Sequence, residues 1–130
     1  MRKTLRKSAP ALAVLAAGFG LVAASPALAA GDAKAGAQLF QQCAICHSNK
    51  KGVNMIGPSL FGVVGRKAGT EPGYSYDAAM KKFGKTWTEA RLDKYIANPQ
   101  KYIPGVKMIY PGMPSATDRA NLIAYLATLK

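Results

Sequence analysis

Histidine occurs once in this chain of 130 residues, cysteine twice and tryptophan once. Two Cys and one His cannot fill the four positions of a structural zinc site, so a zinc-stabilised fold is excluded by counting. Acidic residues are scarce too, six against 18 Lys and Arg, for a formal net charge of +12. Such an excess describes partners and association rates rather than a fold, and it points to acidic docking surfaces. Nucleic acid is a poor alternative, because charge is the only feature in its favour and the chain carries an export signature. No internal repeat, low-complexity tract or interdomain linker interrupts residues 31–130, and no stretch reads convincingly as a β-strand. The length fits one domain.

The export signature lies at the start. Arg2, Lys3, Arg6 and Lys7 form a positive segment, Ala9 to Ala24 an almost uncharged Ala/Leu/Val run, and Ala27-Leu28-Ala29 a small-x-small cleavage site. The run approaches the ~18 residues that suggest a membrane span. Its Ala and Gly content, Pro10 and Pro26, and the processing site instead favour a secretory signal peptide over residues 1–29, removed after Ala29. Residues 30–130 are then the mature domain, with 14 basic and 6 acidic side chains and a net charge of +8. A domain of about 100 residues is near the size where a core alone is marginal, so a large apolar prosthetic group would supply much of the burial. Export places both cysteines in an oxidising compartment, and the expected location is the periplasm.

Asp32 is placed to cap a helix whose good formers run from Ala33 to Gln42, with Leu39 and Phe40 on its apolar face. From Ser48 to Gly73 the chain is rich in Gly, Lys, Asn and Pro without a sustained period. An irregular stretch of that length in a small domain usually wraps something functional. Ser75 to Lys82 reads as a short helix. Thr88 caps another that runs to about Ala97 and ends at Asn98-Pro99, because the residue before proline avoids the α region. Lys101 to Pro114, with Pro104, Gly105, Pro111, Gly112 and Pro114, is expected to be an extended, punctuated loop. Ser115 to Asp118 has capping-box spacing and opens a last helix with Leu122, Tyr125, Leu126 and Leu129 on one stripe. The fold class expected is mainly α, helices joined by long loops around something the sequence does not itself contain.

Cys43-Ala44-Ile45-Cys46-His47 is the pattern of covalent haem c attachment. Two thiols separated by two residues reach two vinyl groups on neighbouring pyrroles, and the His that follows lies under the iron as proximal ligand. A redox dithiol would sit at a strand-to-helix junction, and no strand precedes Cys43. A plain disulfide would leave His47 unexplained. With no second histidine, the opposite iron position falls to a thioether, a lysine, a small molecule or nothing. Met1 leaves with the leader, Met55 follows His47 by only eight residues, and Met80 reads as core. Met108 and Met113 remain, both in a Pro/Gly-rich loop able to present a thioether with little reorganisation. Met108, after Pro104-Gly105-Val106-Lys107, is the expected ligand; Met113, directly before Pro114, is the alternative.

Residues 31–130 resemble the class I cytochromes c, of the mitochondrial type and its soluble bacterial relatives. The likeness covers essentially the whole mature chain. It is carried by Gly57-Pro58-Ser59-Leu60, Gly65-Arg66-Lys67-Ala68-Gly69, Asn98-Pro99-Gln100-Lys101-Tyr102-Ile103-Pro104-Gly105 and Leu122-Ile123-Ala124-Tyr125-Leu126, in that order. The resemblance implies the class I cytochrome c fold around one covalent haem c. It also implies a soluble one-electron carrier, not an enzyme, working between membrane or periplasmic redox complexes.

Residue by residue, the resemblance implies that Pro58 offers its carbonyl to the Nδ1–H of His47, fixing the tautomer. It implies that Arg66, Tyr76 and Trp87 hold the buried haem propionate, a desolvated charge that is costly unless paired. It places Tyr95 near the Met108 sulfur, and packs Gly36 and Phe40 against Leu122 and Tyr125. Lys34, Lys50, Lys51, Lys101 and Lys107 would surround the exposed haem edge and steer a monomer into transient docking with acidic redox partners. Anionic lipid is a weaker, secondary partner, and Lys81, Lys82 and Lys85 form a cluster without an assigned role. The chain departs from the family at Val106, where a threonine is usual, which implies a looser ligand loop. Pro111-Gly112-Met113-Pro114 is more rigid than usual, and the loop after His47 is shorter. Two rival functions come from other classes: a five-coordinate haem enzyme or gas sensor, and an electron-accepting haem subunit bound tightly to a dehydrogenase or oxidase.

Overall fold

The computed structural model describes residues 30–130 together with residues 18, 20 and 21. The leader assigned to residues 1–29 otherwise lies outside the described residues.

Helix α1, Ala33–Leu39, starts where the carboxylate of Asp32 accepts from the N–H groups of Lys34 (2.8 Å) and Ala35 (3.3 Å), donors that no helical carbonyl can reach. It tightens into a 3₁₀ turn at Phe40–Gln42. Helix α2, Ala78–Phe83, begins at Asp77 rather than at Ser75, because the Asp77 carboxylate accepts from the Met80 N–H at 2.7 Å. It stops at Gly84, whose φ of 51° suits glycine. Helix α3, Glu89–Ala97, is capped by the Thr88 hydroxyl and ends at Asn98, as the sequence indicates. The expected extended loop starts later than Lys101, however. Asn98 closes α3 and its side chain accepts from the Lys101 N–H at 3.0 Å, opening the short helix α4, Pro99–Tyr102. Proline at the first helical position has the right φ and lacks only a donor that would go unused. Helix α5, Ala116–Ala127, opens on the Ser115 hydroxyl, which accepts from the Asp118 N–H at 3.1 Å.

The frame is the crossing of α1 and α5. A Cβ at Gly36 would lie 2.8 Å from Tyr125 Cβ and would run into the Asn121 backbone, so only glycine lets the helices approach this closely. Phe40 packs at a tilt against Tyr125 with ring centroids 5.3 Å apart, and the Asp32 N–H donates to Asn121 Oδ1 at 2.8 Å. An Arg119–Asp93 ion pair of 2.7 Å ties α5 to α3. Leu92, Leu122, Ile123 and Leu126 are buried in the shared core. Residues 48–73 wrap one side as turns. Among the described residues there is no strand, only an isolated antiparallel bridge between Lys67 and Thr86. No described helix is long and apolar enough to cross a membrane.

Candidate haem site

The 3₁₀ turn that ends α1 leads straight into Cys43. The Cys43 carbonyl accepts from the N–H groups of Cys46 (3.1 Å) and His47 (2.9 Å), so residues 43–47 form one helical turn. That turn brings positions 43 and 46, three apart, to the same side. Both thiols are free and half-buried. Burial pushes the Cys43 thiol up to about 11, with nearby Cys46 adding to the rise. This is the reverse of the depressed thiol that a redox dithiol needs.

His47 Nδ1 lies 2.7 Å from the Pro58 carbonyl. Nδ1–H therefore donates there, and Nε2 keeps the lone pair that can bind iron. Burial lowers the imidazole pKa, the Pro58 bond opposes that, and the charge of Arg66 lowers it further. The net effect favours the neutral, ligating form. Gly57 is the platform beneath the ring. A Cβ there would lie 2.6 Å from Nδ1 and 2.8 Å from Nε2, closer than real contacts permit.

On the 103–113 loop, Met108 is half-buried and its Sδ lies 3.8 Å from the Tyr95 hydroxyl. Burial raises the Tyr95 pKa far above physiological pH, so its O–H persists as a donor. The loop backbone is tied on both sides of the sulfur. The Lys107 N–H donates to Asp77 Oδ2 at 3.0 Å, and Gln100 Nε2 donates to the carbonyls of Val106 (2.7 Å) and Met108 (3.3 Å). The Lys107 ammonium donates to the Ser75 carbonyl and lies 4.5 Å from the centroid of the Tyr74 ring. Val106 itself is buried. At Asp77, burial raises the carboxyl pKa, but N–H bonds from Lys107, Met80 and its own backbone, with the Lys107 charge, hold it below the usual range.

Met113 has a different setting. It is 5% exposed, its N–H donates to Ile96 O at 2.9 Å, and its carbonyl accepts from Arg119 at 2.8 Å. It is a core residue between α3 and α5. Met80 is buried on α2, and Met55 is largely exposed.

The three residues expected at the propionate lie in one neighbourhood with differing engagements. Trp87 is buried, with ring centroids 5.2 Å from Phe83 and 4.9 Å from Tyr95. The Tyr76 hydroxyl accepts from the Glu71 N–H at 3.1 Å. Arg66 pairs with Glu71 at 2.7 Å. Sequence reasoning missed Glu71, whose only signal is an acid five positions beyond Arg66 in a Gly/Pro-rich stretch. It also missed Ile45 in the Cys/His turn and Ile109 beside Met108, both strongly exposed. Lys34, Lys50, Lys51, Lys101 and Lys107 are all exposed, and Lys107 in addition tethers the loop that carries Met108. Lys82 and Lys85 rim a shallow apolar groove over Phe83, Tyr102 and Ile103.

Among the described residues no three His, Cys, Asp or Glu side chains converge to hold a bare metal ion. One neutral imidazole, one pair of thiols on a helical turn and a tethered thioether suit an iron already carried by a porphyrin. These features define a c-type haem protein of mainly α fold.

The chain belongs to the cytochrome c family, whose profile matches residues 33–130. It is 54% identical to the cytochrome c2 of Rhodopila globiformis over 101 residues, 77% of this chain and 95% of that protein. With the cytochrome c2 of Rhodomicrobium vannielii the identity is 48% over 122 residues, 91% of this chain and 95% of that protein. The solved structure of cytochrome cH from Methylobacterium extorquens superposes with a TM-score of 0.72 at 45% identity, covering 75% of this chain and 99% of that one. The fold is therefore the class I cytochrome c fold, and the chain carries haem c through Cys43 and Cys46 as an electron carrier.

Proposed function

We propose that the mature domain is a soluble periplasmic one-electron shuttle rather than an enzyme, with its haem iron held between His47 and Met108. The reading rests above all on the Tyr95 hydroxyl 3.8 Å from the Met108 sulfur, in a loop fastened on both sides. Haem c, when bound, supplies a one-electron Fe(III)/Fe(II) couple. The chain's contribution is to hold the two ligands still. Pro58 fixes the His47 ring, while Asp77 and Gln100 fix the loop, so little has to move when the charge on the iron changes. Imidazole and thioether ligation together would favour Fe(II) and raise the potential. With His47 and Met108 both committed to the iron, no position would remain for a substrate.

Arg66, Tyr76 and Trp87 are read as the groups that hold the buried propionate. The exposed Lys34, Lys50, Lys51 and Lys101, with the apolar Ile45 and Ile109, suit brief docking of a monomer on an acidic redox partner. Residues 1–29 are read as a signal peptide removed on export. The alignment with the Rhodomicrobium vannielii protein, which reaches into this leader, supports that reading.

The ligand assignment is tested by two substitutions in the purified haem protein. Met108→Ala should abolish the far-red ferric thioether-to-iron band and lower the reduction potential. Met113→Ala should keep both while losing about 2–5 kcal/mol of stability, the usual cost of emptying a core methionine site. The opposite pattern transfers the role to Met113. A band that survives both changes ends the methionine assignment.

A further inference from the structure

Arg66 and Glu71 form a pair whose side chains are only 16% and 9% exposed. Arg66 Nη1 donates to Glu71 Oε2 at 2.7 Å and to the Phe61 carbonyl at 3.0 Å, and Nη2 donates to the Ser59 carbonyl at 2.9 Å. A guanidinium has five N–H donors in a rigid plane. Three are spent on protein acceptors, and among the described residues the Nε–H and the second Nη2–H have none. The free donors are therefore the Nε–H and one N–H of Nη2, neither of them on the nitrogen that Glu71 engages. Glu71 is itself held in place: its N–H donates to the Tyr76 hydroxyl at 3.1 Å and its carbonyl accepts from the Tyr74 N–H at 3.4 Å.

We propose that Glu71 is a positioning residue that holds down the reduction potential of the haem by sharing the charge of Arg66 with it. The inference rests on the reading of Arg66 as a propionate-holding group. Glu71 would act in two ways. By locking Nη1 it fixes the guanidinium plane and aims the Nε/Nη2 edge, the edge whose parallel N–H groups suit a carboxylate. By accepting from the same cation it also takes up part of the charge that would otherwise neutralise the propionate. Negative charge left uncompensated near the haem stabilises the ferric state, and in a buried setting it acts with little screening. A protein carboxylate on this arginine therefore lowers the potential relative to the same chain with a neutral residue.

The sign separates this role from simple scaffolding. Loosening the site by substitution would admit water, which stabilises ferric charge and lowers the potential. Removing the carboxylate charge should raise it. The test is a spectroelectrochemical titration of the holoprotein at neutral pH for wild type, Glu71→Gln and Arg66→Gln, with the far-red band as a check on ligation. The expected result is an upward shift for Glu71→Gln and a downward shift for Arg66→Gln. A downward or absent shift for Glu71→Gln, with Arg66→Gln still downward, overturns the role of Glu71 and leaves the propionate reading standing. No shift in either variant overturns both. Should Glu71→Gln lose the band, the wild-type protein decides. NMR of the diamagnetic reduced form should show the Arg66 side-chain N–H protons protected from exchange on both edges. Rapid exchange on the Nε edge shows that the charge is not shared, and the proposal fails.

Discussion

Replacing Gly57 by alanine probes how the proximal histidine is held. Gly57 does not have a positive φ, so alanine meets no backbone penalty and the effect is purely that of one methyl group. That methyl would lie 2.3 Å from His47 Cε1 and 2.6 Å from Nδ1, whereas ordinary contacts begin near 3.4 Å, so the ring must retreat by about 1.1 Å. Taken along the Nδ1···O axis, this retreat stretches the 2.7 Å bond to Pro58 to about 3.8 Å, where no hydrogen bond survives. Overpacking typically costs ~1–3 kcal/mol and a lost bond ~0.5–1.5 kcal/mol. The sum, about 1.5–4.5 kcal/mol, lowers the melting temperature by roughly 6–36 °C in a domain of this size. The assay is thermal or denaturant unfolding of the holoprotein, paired with absorption spectra for a shift toward the high-spin iron of a displaced imidazole. Gly62→Ala supplies the contrast, since its Cβ meets nothing within 4 Å but its φ is +69°. That variant should lose stability through the backbone alone and keep the wild-type spectrum. An unchanged melting temperature and an unchanged spectrum for Gly57→Ala would refute the platform.

Two further outcomes follow from the same contacts. Asp77→Ala removes the α2 cap, worth ~0.5–2 kcal/mol, and frees the Lys107 N–H, so the Met108 band should weaken at lower denaturant than in wild type. Because the folded-state pKa of Asp77 lies below its unfolded value, its contribution is full above the ordinary carboxylate range and is lost as pH falls through that lower value; an acid titration of the band should show this component in wild type and not in the variant. Docking on an acidic partner should slow as ionic strength rises, read by stopped-flow with a purified redox partner, and a complex that persists at high salt would favour a tightly bound subunit.

What was legible in the sequence is what is local. The caps at Asp32, Thr88 and Ser115 and the stop at Asn98-Pro99 each depend on a few consecutive residues, and each lies where the sequence indicates. The same proline misled the reading one step later, because Asn98 both ends α3 and opens α4. The Asp77 cap of α2 is equally local, but Ser75 two positions earlier is the same kind of capping residue, and only the observed Met80 N–H bond decides between them. The Cys/His turn was plain because the cofactor dictates its spacing. The His47–Pro58 bond and the Tyr95–Met108 approach came through resemblance, since neither pair is close in sequence. Glu71 was not legible at all. An acid in a turn-rich stretch is usually solvated, and only the path of the chain reveals that Arg66 is its partner.

The crossing of the first and last helices also imposes an order of events. The contact between Asp32 and Asn121 joins residues 89 positions apart, so it closes a very large loop and cannot form until residues 116–127 exist. The cysteine-bearing turn hangs directly from the end of α1. While a chain is still emerging, that turn has no opposing helix and its two sulfurs remain open to whatever machinery fastens the porphyrin. Arrival of the final helix then closes the frame beside the turn that bears Cys43 and Cys46. A chain cut short before residue 116 would keep its attachment turn and lose the means to enclose it.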